Sequence, residues 1–81
     1  MKIYDYNGRK NLCGENIRML RCKKRLSQTD LAAKMQLSEI ILERDSISRI
    51  EIGTRFVTDY ELMVFARVLG VSVEDLLKSD G

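Results

Sequence analysis

The chain has no histidine, no proline and only two cysteines among its 81 residues. A structural zinc site usually takes four Cys or His ligands, so two cysteines do not close one, and no metal or other cofactor is expected. Without histidine, and with no nucleophile beside an evident base, the chain does not read as an enzyme. No apolar run approaches the ~20 residues that a membrane-spanning helix needs, so no membrane partner is expected. The N-terminus lacks the basic-then-apolar pattern of a secretory signal, which predicts a cytoplasmic protein. In that reducing compartment a bond between Cys13 and Cys22, nine residues apart, is disfavoured. Two free thiols on or beside the first helix are expected, with a redox switch as the other reading. Lack of proline and scarcity of strand-like runs make an all-helical bundle the economical fold.

Length and charge narrow the reading. Eighty-one residues make one domain, close to the lower limit for a core that folds alone. The net charge of +2 conceals an asymmetry: residues 1–55 carry 12 Lys/Arg against 7 Asp/Glu, and residues 56–81 carry 2 against 5. A basic region suits contact with phosphates, and the acidic remainder should face away from them. The densest basic run is Arg21-Cys22-Lys23-Lys24-Arg25. Two readings of it stay open: a solvated helix end favoured by the helix dipole, or a partial phosphate contact.

The most informative segments are Ser27-Gln28-Thr29-Asp30-Leu31-Ala32-Ala33-Lys34-Met35 and Ile47-Ser48-Arg49-Ile50-Glu51-Ile52-Gly53-Thr54-Arg55. Ser27 and Asp30 have the spacing of a capping box, which satisfies free amides at a helix start. Leu31, Ala32 and Met35 then fall on one helical face. In the second helix Ile47 and Ile50 point inward, while Arg44, Ser48 and Arg49 can point outward. Gly53 supplies the left-handed stop. A short helix anchored by isoleucines and presenting arginine outward is suited to reading a DNA major groove.

These residues resemble the helix-turn-helix of the phage repressor and Cro family, also called the XRE family. The resemblance rests on Gln28, on Leu31-Ala32 and on Ile47 through Gly53, and it extends to Ile17–Arg21 and to Tyr60–Leu77. It implies a five-helix lambda-repressor-like DNA-binding bundle with a helix-turn-helix, in a domain over residues 12–78 after an N-terminal arm, 1–11. One departure stands out. Glu39-Ile40-Ile41-Leu42-Glu43 lengthens the turn between the two motif helices. That leaves open where the recognition helix begins and whether Arg44 and Asp45 lie in its first turn. At least two of Ile40, Ile41 and Leu42 should cap the core.

The pattern predicts helices near 12–24, 28–35, 44–51, 59–69 and 73–78. Thr58-Asp59-Tyr60-Glu61 is a capping box, Gly70 a stop, and Ser72 an N-cap. Leu62, Phe65, Ala66, Leu69, Val73, Leu76 and Leu77 should join Ile17, Leu20, Leu31, Met35 and Ile50 in the core. Residues 1–10 show no helical period and read as a loose arm or a short strand.

Roles follow for single residues. By resemblance, Gln28 bonds a phosphate at the start of its helix, the other reading being an ordinary solvated side chain, and Thr29 beside it can add a second contact. Arg49, between the two isoleucines, can grip guanine or a phosphate; Arg44, Asp45, Ser46 and Ser48 surround it. Asp45 either accepts from a cytosine amino group or caps the recognition helix. Thr54 and Arg55 suit the backbone beyond the groove. Arg21 and Glu51 match the family's internal ion pair, which makes them structural. The expected partner is double-stranded DNA, bound as a homodimer, with a regulatory protein as a further partner. The competing reading is an antitoxin or anti-regulator that uses this fold to bind protein, through exposed apolar residues such as Val57 and Val64.

Overall fold

The computed structural model describes residues 6–79, so residues 1–5 of the expected arm lie outside the described residues. Among the described residues five helices follow in order: α1 Gly14–Lys23, α2 Gln28–Leu37, α3 Arg44–Ile52, α4 Asp59–Leu69 and α5 Val73–Leu77. None is long and apolar enough to cross a membrane.

Side chains three residues apart begin three of these helices. Ser27 and Asp30, Thr58 and Glu61, and Ser72 and Asp75 each form a reciprocal capping box. In the first, the Asp30 amide donates to Ser27 Oγ and the Ser27 amide to Asp30 Oδ2, both at 2.9 Å. Such amides hold the carboxyls of Asp30 and Asp75 below their usual range. Four helices end alike, with a left-handed residue just past the last turn: Arg25, Glu39, Gly53 and Gly70. In each, the following amide reaches back five residues, as Leu26 does to the Arg21 carbonyl at 3.0 Å and Thr54 to that of Arg49 at 2.9 Å.

The core is built from Cys13, Ile17, Leu31, Met35, Ile47, Ile50, Phe65, Leu69 and Leu76, all nearly inaccessible to water. Three apolar expectations change. Val64, expected on the surface, is buried, because α4 packs against α1, α2 and α5 and so buries a broad face. Leu77, expected in the core, remains 41% exposed, since the five-residue α5 turns Leu76 inward instead. Val57 is half-buried against the core.

Two close fits join the elements. At Gly14 a β-carbon would run into the Ile50 carbonyl oxygen, so only glycine lets the start of α1 cross the end of α3. Asn16, buried, donates from Nδ2 to the carbonyls of Leu76 and Lys78, each at 2.8 Å, and ties α5 to α1.

The cysteines are free and unlike each other. Cys13 is buried at the head of α1, and Cys22 is exposed. Burial pushes the Cys13 thiol up to about 11. Maleimide should therefore modify the folded protein once, at Cys22, and reach Cys13 only after unfolding. Peptide mapping after brief labelling near pH 7.5 checks this; equal labelling of both thiols would contradict the burial.

Candidate nucleic-acid interface

The segment between α2 and α3 spans residues 38–43. Left-handed Glu39 reverses the chain, and the Ile40 amide returns to the Met35 carbonyl at 3.1 Å. Leu42 is then buried and Ile40 packs on the core, while Ile41 stays 78% exposed. Two of the three apolar turn residues thus cap the core. The lengthened turn consequently leaves α3 packed on α2 and α1. Helix α3 begins at Arg44, with Arg44 and Asp45 in its first turn. The N-cap is Glu43, and no side chain caps it; Asp45 lies too far into the helix for that role. Its carboxylate meets the Arg44 guanidinium instead, at 2.9 Å.

The other end of α3 is held by a buried carboxylate. Glu51 Oε2 accepts from Arg21 Nε at 2.7 Å, and Oε1 accepts from Arg21 Nη2 and Gln28 Nε2, each at 3.0 Å. Arg21 Nη1 donates to the Leu26 carbonyl at 2.7 Å. The bond to Glu51 raises the Arg21 pKa, so the guanidinium stays charged. One carboxylate thereby joins α1, the first residue of α2 and the last turn of α3. Gln28 is part of this network.

Around that frame, Asp45, Arg49 and Ile52 recur at i, i+4 and i+7, forming one exposed stripe opposite Ile47 and Ile50. Arg44 is exposed beside it, and Ser46 and Ser48 are half-buried at its edges. Thr29 is exposed in the first turn of α2, and Thr54 is exposed just past Gly53. The remaining predicted residue, Arg55, folds back onto the domain. Its Nη1 and Nη2 meet the two Glu61 oxygens at 3.0 and 3.1 Å, and Nη1 also donates to the Phe56 carbonyl at 2.9 Å.

Two consecutive helices, the second anchored by isoleucines and baring Arg49, form the motif itself. Residues 13–78 match the helix-turn-helix domain family. The chain belongs to it. No curated protein and no solved structure matches the chain. Family membership makes this a DNA-binding fold.

The helix-turn-helix domain also uses contacts that the pattern did not single out. Arg9 and Asn11 bond to the end of α3, and Glu61 neutralises Arg55. An asparagine at position 11, three residues before Gly14, is a helix-start signal in the sequence; its reach to α3 is not.

Two predictions concern these charges. Arg21→Ala should lower stability by ~3–5 kcal/mol, since Glu51 would be left buried and unpaired. Urea unfolding measures the change, and an unaltered midpoint would show that the pair contributes nothing. Burial alone would raise the Glu61 carboxyl, but the Arg55 fork and the Thr58 amide outweigh it and hold it below its ordinary 4.5. The Glu61 contribution is therefore complete above about pH 4.5 and fades as pH falls through the lower folded value. Glu61→Gln should lose less stability than wild type between about pH 5 and 3. Parallel acid limbs in thermal melts would count against this.

Proposed function

We propose that this domain is a sequence-specific transcriptional regulator of the repressor/Cro type that reads duplex DNA with α3 in the major groove. The observation that supports the reading is the Asp45–Arg49 stripe on a helix whose opposite side is buried and whose end is held by Glu51. Arg49 grips a guanine edge with its planar fork, and Arg44, Asp45, Ser46 and Ser48 supply neighbouring base and backbone contacts. Gln28 and Thr29, at the start of α2, meet one phosphate strand, where a helix N-terminus favours negative charge. Thr54 and Arg55 meet the other. Since both Nη atoms of Arg55 are engaged by Glu61 and Phe56, Thr54 carries more of that contact. A single small module gives a modest interface, so two copies occupy a palindromic site, with half-site centres ~34 Å apart. Leu77, exposed on α5, is a candidate for the contact between copies. The alternative of an antitoxin or anti-regulator that chiefly binds protein predicts weak, unselective DNA binding. Burial of Val64 removes one of the two side chains it called on.

Selection from a randomised duplex pool should enrich one motif, and affinity for it should fall steeply with salt as counterions are released. Sedimentation on the enriched duplex should find two copies per site; one copy would remove the pairing. Arg49→Ala should cost ~1–3 kcal/mol on the best site and much less on mismatched sites. An unchanged selection profile would move base reading to Arg44 or Ser48. Failure of the wild type to enrich any sequence favours the protein-binding alternative.

A further inference from the structure

We infer that residues 9–11 are positioning residues for DNA recognition: they clasp the last turn of α3 and so set which base pairs the helix meets. The inference rests on the DNA reading above. It concerns residues outside the matched family range, 13–78.

A helix leaves its last carbonyls without partners, and α3 finds some of them in a segment about 40 residues earlier in the chain. Arg9 Nη2 donates to the Glu51 carbonyl at 2.9 Å, and Asn11 Nδ2 donates to the Ile50 carbonyl at 3.0 Å. The same Asn11 nitrogen reaches the Arg55 carbonyl at 2.8 Å, and the Lys10 amide reaches that of Gly53 at 2.8 Å. Residues 6–11 are therefore neither a loose arm nor a strand. Tyr6 and Arg9 pair across a tight turn, with Asn7 and Gly8 both left-handed, and this turn directs Arg9 toward α3.

The clasp is sterically close as well as bonded. A β-carbon at Gly53 would lie 2.7 Å from Arg9 Cζ, so the guanidinium rests against the helix stop. Arg9 Nη1 also contacts Glu15 Oε1 at 3.4 Å, and Asn11 Oδ1 accepts from the Gly14 amide at 2.8 Å. The segment is thus braced on α1 while it holds α3.

Lever length explains why this matters for base reading. Nine residues at 1.5 Å each make α3 about 13 Å long. A tilt of ~10° about its held end displaces the other end, which carries Arg44 and Asp45, by on the order of 2 Å, and Arg49, in the last turn, by under about 1 Å. Contacts to base edges need donor–acceptor distances of about 2.7–3.2 Å, so such a tilt breaks those made from the first turn, by Arg44 and Asp45, and turns the Arg49 fork off its line. Phosphate contacts are long-ranged and tolerate it better.

The variant that separates the roles is Asn11→Asp. It retains the oxygen that caps Gly14 but exchanges the two carbonyl-directed donor contacts for a carboxylate. Arg9→Ala removes one donor and leaves Asn11 in place. In the full chain without DNA, amide hydrogen exchange should quicken in the last turn of α3 and stay unchanged within α4. Equal acceleration in every helix would overturn the inference, because it would reveal only general loosening. On the wild-type motif, the ratio of affinity for the best site to that for single mismatches should fall roughly tenfold in Asn11→Asp, with the salt slope preserved. Arg9→Ala should move the ratio in the same direction by less, and it serves as the readout if Asn11→Asp does not fold. A wild-type chain that enriches a motif, with variants that keep its ratio, overturns this inference alone. A wild-type chain that enriches nothing overturns the DNA reading, and the inference with it.

Discussion

The Glu51 carboxylate is the interaction on which the rest of the arrangement depends. A carboxylate taken out of water is costly unless opposite charge and hydrogen bonds replace its hydration. Here the Arg21 fork supplies charge and two donors, and Gln28 supplies a third. These donors come from α1 and from the head of α2, so satisfying the carboxylate fixes α3 against both at once. Arg21 in turn reaches the Leu26 carbonyl in the turn that leads to α2. The path from α1 through the α2 start to the end of α3 is therefore one bonded network, and the exposed Asp45–Arg49 face of α3 is positioned by it.

A second constraint comes from helix length. The helices run from five to eleven residues, so groups at their ends form a large share of the backbone. Capping boxes at Ser27, Thr58 and Ser72 serve the starts, and left-handed residues serve four of the stops. Distant side chains serve others: Asn16 for the end of α5, Arg9 and Asn11 for the end of α3. A small core is thus supplemented by polar side chains that join helix ends across the fold. Among the described residues every buried side-chain nitrogen and oxygen has a partner.

Charge is arranged to match. Arg49 stands exposed on α3 and Arg44 is exposed beside its Asp45 partner, whereas Arg21 and Arg55 are held less accessibly by Glu51 and Glu61. The Arg21–Glu51 pair is already balanced within the excess of residues 1–55, Glu61 offsets one further cation, Arg55, and exposed cations such as Arg49 carry the field at the motif. The added turn residues do not disturb this, because Leu42 and Ile40 fasten the loop to the core and leave Ile41 outside.

Local chemistry made much of this legible in the chain alone. Ser and Thr followed three residues later by Asp or Glu marked helix starts, Gly53 and Gly70 marked stops, and the 3.6-residue period placed Ile17, Leu31, Ile50 and Phe65 inside. Arg21 and Glu51 were reached through a family pattern. Stops at Arg25 and Glu39 carried no such signal, since either residue is ordinary within a helix and becomes left-handed only where the chain must turn. Val64 and Leu77 depended on how many neighbours each helix meets, which periodicity does not encode. The Arg55 fork and the clasp of Arg9 and Asn11 on α3 likewise needed the fold, because their partners are backbone carbonyls or carboxylates brought near by packing. The sequence by itself determined the helices and the motif, through interactions within a few residues. Tertiary structure decided which arginines are paired and what holds α3 in place, because those depend on groups brought together from distant parts of the chain.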